Sequence, residues 1–490
     1  MLKLKTQVVL TSFSKSLKHV SVFILALFLT RYFSPHDYGT YLQVMLVANM
    51  AIYLSVFGIP SSIYYFLPRT GEKKKMMKNT ILLLCSIAVV VSIGVYFLSE
   101  FIATNFNNLE LVDYGWLMAV FILLQIPIKL YEPFMITTNN VPKFVMVNAS
   151  FNFGFLLAVL IPVLLGWNLF EVLLTLFWFF AAQFAAIFLV VFWVYFKLKD
   201  EPEEEPYSMK EQFQYSAPIG FAGAINELGI VIDKIIVSGF FNPAQLAIYT
   251  RGAMEIPMLN VIANSLGNIL MPRFVEEYKK NNIAEVVRLW HSGIRMMATF
   301  IYPAFVFFVI TAGHLIPFLF TEKYIESVII FQVYTIVLLT RITSYDAIAR
   351  AVGQTKVLMK VSLMAVALNI ALTIGLVSWI GIIGAPLATV IVTFIVRGSH
   401  LWIITKLIDI SIADVFPWRS LGKLFAASLV AAVPLIPILN TDLSHFPMLA
   451  ACGVVFAVSY LLVFRKTGAL TDSELKSIRS ALPKKLRWVI

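Results

Sequence analysis

Phe33-Ser34-Pro35-His36-Asp37-Tyr38-Gly39-Thr40-Tyr41 returns about two hundred residues later as Phe241-Asn242-Pro243-Ala244-Gln245-Leu246-Ala247-Ile248-Tyr249. Each copy closes one long apolar segment and opens the next. Two further matches follow in the same order. Leu67-Pro68-Arg69 is answered by Met271-Pro272-Arg273, and Pro142-Lys143 by Thr355-Lys356. Three ordered matches at nearly constant separation indicate an internal repeat.

The medium follows from composition. Of 490 residues, 60% are hydrophobic and 13% charged, about half the charge of an average soluble domain, and the mean hydropathy is +0.85. Stretches such as Ile81–Leu98, Phe151–Leu165 and Ile301–Ile310 are apolar on every helical face, as membrane helices are. The alternating ten-residue strands of a membrane barrel are absent. Cys85 and Cys452 both fall in apolar runs and read as small core residues rather than a disulfide or metal pair. No small-residue cleavage site follows the first apolar stretch, which reads as an anchor.

Roughly fourteen segments are long and apolar enough to span, near 9–31, 40–66, 79–99, 114–136, 144–166, 170–196, 214–239, 246–271, 287–311, 324–349, 356–379, 381–404, 418–439 and 447–464. Every second connection is basic, as at Lys73–Lys75, Lys197–Lys210, Lys279–Lys280 and Arg465–Lys466. The net charge of +11 is therefore a topology signal, and no nucleic acid is implied. The positive-inside pattern places both termini in the cytoplasm. The expected fold is an all-α integral membrane protein with two parallel six-helix repeats and two extra C-terminal helices. Its expected boundaries are an N-terminal lobe at 1–197, a cytoplasmic linker at 198–212, a C-terminal lobe at 213–406, two added helices at 407–464 and a cytoplasmic amphipathic tail at 465–490. A substrate path between the lobes would then be expected. Thr471-Asp472-Ser473-Glu474 carries a capping-box pattern at the head of that tail.

Soluble-enzyme motifs are missing: there is no phosphate loop, no His-Glu-x-x-His and no Cys-x-x-Cys. The expected outer connections are short, so transport is favoured over catalysis. No cofactor or metal is called for.

Ionisable residues within apolar segments cost about 2.5–3.5 kcal/mol each on insertion scales, so they need a partner or a wet cavity. Lys15 and His19 share a face of the first segment; they line a cavity or, for the lysine, snorkel to the surface. Lys129 and Arg341 fall at nearly equivalent repeat positions, Lys129 beside Glu132 and Arg341 beside Asp346 and Arg350. Both read either as cavity-lining cations or as members of internal ion pairs. Glu227, Asp233 and Lys234 lie in the seventh segment, and Arg295 is the deepest cation of the ninth. Lys15, His19, Lys129, Arg295 and Arg341 are the candidate substrate-binding residues. Glu132, Glu227, Asp233 and Asp346 are the candidates for coupling to a proton or Na+.

Leu29-Thr30-Arg31-Tyr32 followed by the first repeat copy, and Asp233-Lys234-Ile235-Ile236-Val237-Ser238-Gly239 followed by Ala247-Ile248-Tyr249, resemble the polysaccharide-transport branch of the MOP superfamily, the Wzx-type flippases. The second copy departs at Leu246-Ala247, where a glycine before Ile248 is common. The resemblance implies translocation of an undecaprenyl-pyrophosphate-linked oligosaccharide of O-antigen, capsule or exopolysaccharide across the bacterial cytoplasmic membrane. It also implies membrane lipids, a polysaccharide polymerase and glycosyltransferases as partners. A lipid II flippase and a multidrug or cation antiporter of the same superfamily are the alternatives.

Overall fold

The computed structural model describes residues 4–201, 206–254, 270–345, 347–351, 355–472 and 474–475, with backbone alone for 4–16, 351, 355 and 356. Among these residues every regular element is helical and no strand occurs. They run α1 Leu4–Tyr32, α2 Pro35–Ser55, α3 Ile59–Phe66, α4 Lys73–Phe97, α5 Ser99–Asn105, α6 Gly115–Ile128, α7 Tyr131–Thr137, α8 Val141–Leu164, α9 Leu169–Lys197, α10 Met209–Phe240 and α11 Pro243–Gly252. Then follow α12 Ile283–Phe320, α13 Ser327–Thr335, α14 Ala347–Ala351, α15 Thr355–Ile380, α16 Gly384–Ile408, α17 Trp418–Ala432, α18 Leu435–Leu439 and α19 His445–Thr467. Seven described stretches are long and apolar enough to cross a membrane, or eight when the bent pair α2–α3 is taken as one span. One of the seven, Val357–Ile408, is 52 residues long and contains α15 and α16, which pack against each other. The membrane-helical architecture expected from composition is the one observed.

The repeated sequence motif is a pair of helix starts. Ser34 caps α2 by accepting from the Asp37 amide at 3.1 Å, and Pro35 occupies the first turn, where its missing N–H costs nothing. Asn242 accepts from the Gln245 amide at 3.0 Å, with Pro243 in the matching place. The order of elements recurs as well. A long helix, a helix broken at a cation, and a closing helix pair appear as α4, α6–α7, α8–α9 and again as α12, α13–α14, α15–α16.

The chain forms two compact units, Met1–Ala247 and Ile248–Ile490. In the first, α10 packs along α2 and α3. Two glycines set how close it comes. A Cβ on Gly39 would fall 1.8 Å from the Pro243 carbonyl oxygen, so the two repeat turns touch backbone to backbone. Gly58, at φ +69°, makes the bend between α2 and α3, and a Cβ there would meet Gly220 N and Ser216 O at 2.6 Å. Asn107 closes the same side by donating to the Gly239 carbonyl at 2.8 Å, while Asn108 donates to Thr40 and Gln43.

At the opposite end of α10, Gln212 donates to Ser62 Oγ at 2.8 Å and Thr80 Oγ1 at 3.0 Å and accepts from the Tyr207 hydroxyl at 2.6 Å. The described part of the expected linker is tied down beside it. Lys73 pairs with Glu201 at 2.9 Å, the Lys74 amide donates to Asp200, and the Tyr207 amide donates to Glu72.

The core of the second unit is built from α12, α17 and α19, through Ile294, Met297, Ala298 and Ile301 against Leu424, Ala427, Cys452 and Phe456. The two helices beyond the repeat are thus part of that core. Cys85 and Cys452 are free thiols.

Candidate cationic sites at two helix breaks

Each unit carries a cation where an apolar helix stops. Pro127 within α6 and Pro133 within α7 flank the break, and Lys129 is the residue that ends α6. Its amide donates three residues back, to the Ile126 carbonyl, at 3.1 Å. Arg341 ends the 3-10 turn Ile336–Thr340 that follows α13, and its amide donates to the Leu338 carbonyl, again three residues back, at 2.8 Å. A cation at a helix C-terminus is stabilised by the exposed carbonyls there, which contribute about 0.3–1 kcal/mol. That term offsets part of the cost of holding the charge in an apolar segment.

In the first unit Lys129 is half-buried, with its ammonium 5.0 Å from the centre of the Tyr53 ring. Lys18, Glu227 and Glu132 lie close enough for their charges to act on it. Glu227 also acts on Tyr53, and Glu132 on Tyr64. The result is one electrostatically coupled group: two lysines, two glutamates and two tyrosines drawn from α1, α2, α3, α7, α10 and the α6–α7 break. Tyr53 and Glu227 line a cavity of about 40 Å³ between α2 and α10, room for a water or a small cation. The arrangement can bind an anion through Lys129 and Lys18 and take up a cation or proton through Glu227 and Glu132.

In the second unit Arg397, within α16, lies over the Tyr345 ring at 5.0 Å, and His400 is buried one turn further on. These two basic residues of α16 and the Tyr345 ring lie in the same unit as Arg341.

The expected site residues fall in different places. Lys129, Glu132 and Glu227 come together. His19 is exposed on α1. Asp233 is buried, and its carboxylate accepts from the Lys234 amide at 2.8 Å. Arg295 forks onto Glu474, with three contacts of 2.6–3.1 Å and both side chains largely buried, so its charge is committed to holding the segment after α19. Thr471 and Glu474 do form the expected capping box; the remainder of the expected tail helix lies outside the described residues. The Lys15 side chain and Asp346 lie outside them too. Sequence reasoning missed Tyr53, Tyr64 and Arg397; only Arg397 announced itself, as a lone cation inside an apolar run. Among the described residues no cluster of three or more His, Cys, Asp or Glu could hold a metal ion.

Residues 28–329 match the family described as "Polysaccharide biosynthesis protein". The chain belongs to this family. Among curated relatives, it is 23% identical over 209 residues to the capsular polysaccharide biosynthesis protein CapF of Staphylococcus aureus, covering 42% of this chain and 52% of CapF. The chain spans about half the length of the curated relatives it matches. Among solved structures, the lipid II flippase MurJ in an inward closed conformation superposes with a TM-score of 0.71 at 15% identity, covering 94% of this chain and 98% of MurJ. The Vibrio cholerae MATE transporter VcmN gives a TM-score of 0.53 at 11% identity, covering 82% of this chain and 97% of VcmN. The fold is that of the MOP transporters, and the polysaccharide-transport resemblance read from Asp233-Lys234 and the repeat turns stands.

Proposed function

We propose that this protein is a flippase for an undecaprenyl-pyrophosphate-linked oligosaccharide, acting by alternating access in the bacterial cytoplasmic membrane with both termini in the cytoplasm. The observation that supports this reading is the repeated cation at a helix break, Lys129 in one unit and Arg341 in the other. A pyrophosphate crossing the membrane sheds water and needs charge-assisted donors in its place. Lys129 supplies one, and the aromatic rings beside it suit the faces of sugars. The lipid tail stays in the bilayer, so the protein needs only to shelter the polar head.

The carboxylates near Lys129 give the cycle a coupling step. With no substrate bound, Glu227 and Glu132 neutralise the lysine. An arriving phosphate takes their place, and the displaced carboxylate takes up a proton or Na+. That exchange links headgroup movement to an ion gradient without ATP. Asp346 and Asp233 are further candidates for the same role, and Lys15 and His19 for contact with the substrate, whereas Arg295 is held by Glu474. A polymerase and glycosyltransferases would act on either side of this step.

The likeness in fold to MurJ favours a second reading, a flippase for a peptidoglycan precursor, whose headgroup carries the same pyrophosphate. An antiporter of organic cations fits less well, because each unit carries a half-buried cation at its helix break. The test is reconstitution into proteoliposomes with labelled undecaprenyl-pyrophosphate oligosaccharide, labelled lipid II and a cationic dye. Translocation of the oligosaccharide lipid is expected. Dye export with no movement of either lipid would overturn the proposal.

A further inference from the structure

The last helix of each repeat ends in the same device. In α9, Trp193 is followed one turn later by Lys197; in α16, Trp402 is followed one turn later by Lys406. The Lys197 ammonium sits 3.5 Å from the Trp193 ring centre, and the Lys406 ammonium 3.7 Å from that of Trp402. A second ammonium, from Lys143 at the start of α8, sits 3.6 Å from Trp193. The two distances limit the separation of Lys143 and Lys197 to 7.1 Å.

A cavity opens beside each indole. The one in the first unit is about 530 Å³ and is lined by Trp193, Lys197, Lys199, Asn139, Asn140 and Lys73, among others. Its carboxylate, Glu201, is taken by Lys73 at 2.9 Å. The cavity in the second unit is about 480 Å³, lined by Trp402, Lys360, Ser399 and apolar side chains, with no carboxylate. Among the described residues, no carboxylate pairs with Lys143, Lys197, Lys199, Lys360 or Lys406. Around each cavity the surface is apolar and open: Leu189 is 73% and Phe196 71% exposed on α9, and Met359 and Phe394 are exposed near the second.

An interfacial Trp or a snorkelling Lys alone needs no ligand. Here those lysines line a cavity or stack on the indole that lines it, have no paired carboxylate among the described residues, and do so twice at matching places in the repeat. We infer that each unit binds the phosphate headgroup of one anionic phospholipid in this cavity, with its acyl chains along the exposed apolar face of α9 or α16. The ammonium groups meet the phosphate, and the indole holds the glycerol region at the membrane interface. This site is separate from the translocation chemistry at Lys129 and does not depend on it.

Native mass spectrometry of the purified full chain, released from micelles doped with phosphatidylglycerol or phosphatidylcholine, tests it. Two phosphatidylglycerols should be retained and phosphatidylcholine should not. Each Lys→Gln change should lower occupancy about fivefold. K143Q/K197Q/K199Q should therefore lose one lipid and K360Q/K406Q the other, while the corresponding Lys→Arg sets and Lys129→Gln keep both. Equal retention of the two phospholipids, or retention unchanged in both Lys→Gln sets, would overturn the inference. Displacement of phosphatidylglycerol by millimolar inorganic phosphate would overturn a lipid as the occupant.

Discussion

Replacing Gly39 by alanine should force apart the two turns that the repeat places against one another. The new Cβ would lie 1.8 Å from the Pro243 carbonyl oxygen, 2.3 Å from its carbon and 2.8 Å from its Cα. Carbon and carbonyl oxygen approach no closer than about 3.3 Å, so the backbones must separate by roughly 1.5 Å. All three opposing atoms are backbone, and no rotamer change relieves them. Overpacking of this kind costs about 1–3 kcal/mol. Alanine's better helix propensity cancels, because residue 39 is helical whether or not the turns touch. The contact should then be disfavoured about 5- to 150-fold, at 1.4 kcal/mol per factor of ten. The readout is disulfide formation between Asn107→Cys and Gly239→Cys, positions that meet through a 2.8 Å hydrogen bond on the same side, with Cys85 and Cys452 replaced by serine. Cross-linking that is as fast with Gly39→Ala as without it, in protein of equal thermal stability, would refute the backbone contact.

Four other outcomes are expected. Gln212→Ala should lower stability by about 1–3 kcal/mol in thermal unfolding, because it removes the acceptor of the buried Tyr207 hydroxyl and the amide shared by Ser62 and Thr80, whose hydroxyls keep only the Ile59 and Met76 carbonyls. Glu474→Gln should cost about 3–5 kcal/mol by leaving Arg295 uncompensated, and R295M/E474L should recover much of the loss. Burial alone would push the Glu474 carboxyl up, but hydrogen bonds from Arg295, Thr471 and Ser292 outweigh it and hold it below its usual range. Its contribution is therefore complete above the ordinary carboxylate pKa of about 4.3, is lost as pH falls through the lowered folded value, and should be missing from the acid-unfolding profile of Glu474→Gln. An impermeant maleimide should label Asn107→Cys but not Lys74→Cys in intact cells, and neutral amides at Glu132, Glu227 and Asp346 together should abolish dependence of transport on an ion gradient.

Local and periodic features were legible in the sequence. The cap residues Ser34 and Asn242, the prolines after them and the apolar runs each act within a turn or two of chain, so the helices and the repeat could be read directly. The equivalence of Lys129 and Arg341 followed from the same periodicity, and the structure places both at helix ends. Long-range partners left no local trace. Arg295 looked like an unpaired deep cation because its carboxylate, Glu474, is 179 residues away in sequence. Tyr53 and Tyr64 looked like ordinary aromatic side chains of an apolar helix, since only the bend at Gly58 and the packing of α10 give Tyr53 its acidic neighbour. The linker at 198–212 read as a plain cytoplasmic connection, yet its Asp200 accepts from the Lys74 amide and its Tyr207 amide donates to Glu72.

The most direct test of the central claim measures lipid-linked oligosaccharide translocation per folded molecule in proteoliposomes for Lys129→Ala, Lys129→Arg and Arg341→Ala. A charge-assisted hydrogen bond to phosphate contributes about 1.5–3 kcal/mol, so each alanine variant should capture substrate about ten- to a hundredfold more weakly while Lys129→Arg loses less. Normal translocation per folded molecule in both alanine variants, with only their yield reduced, would show that these cations brace helix ends and would contradict the flippase mechanism proposed for them.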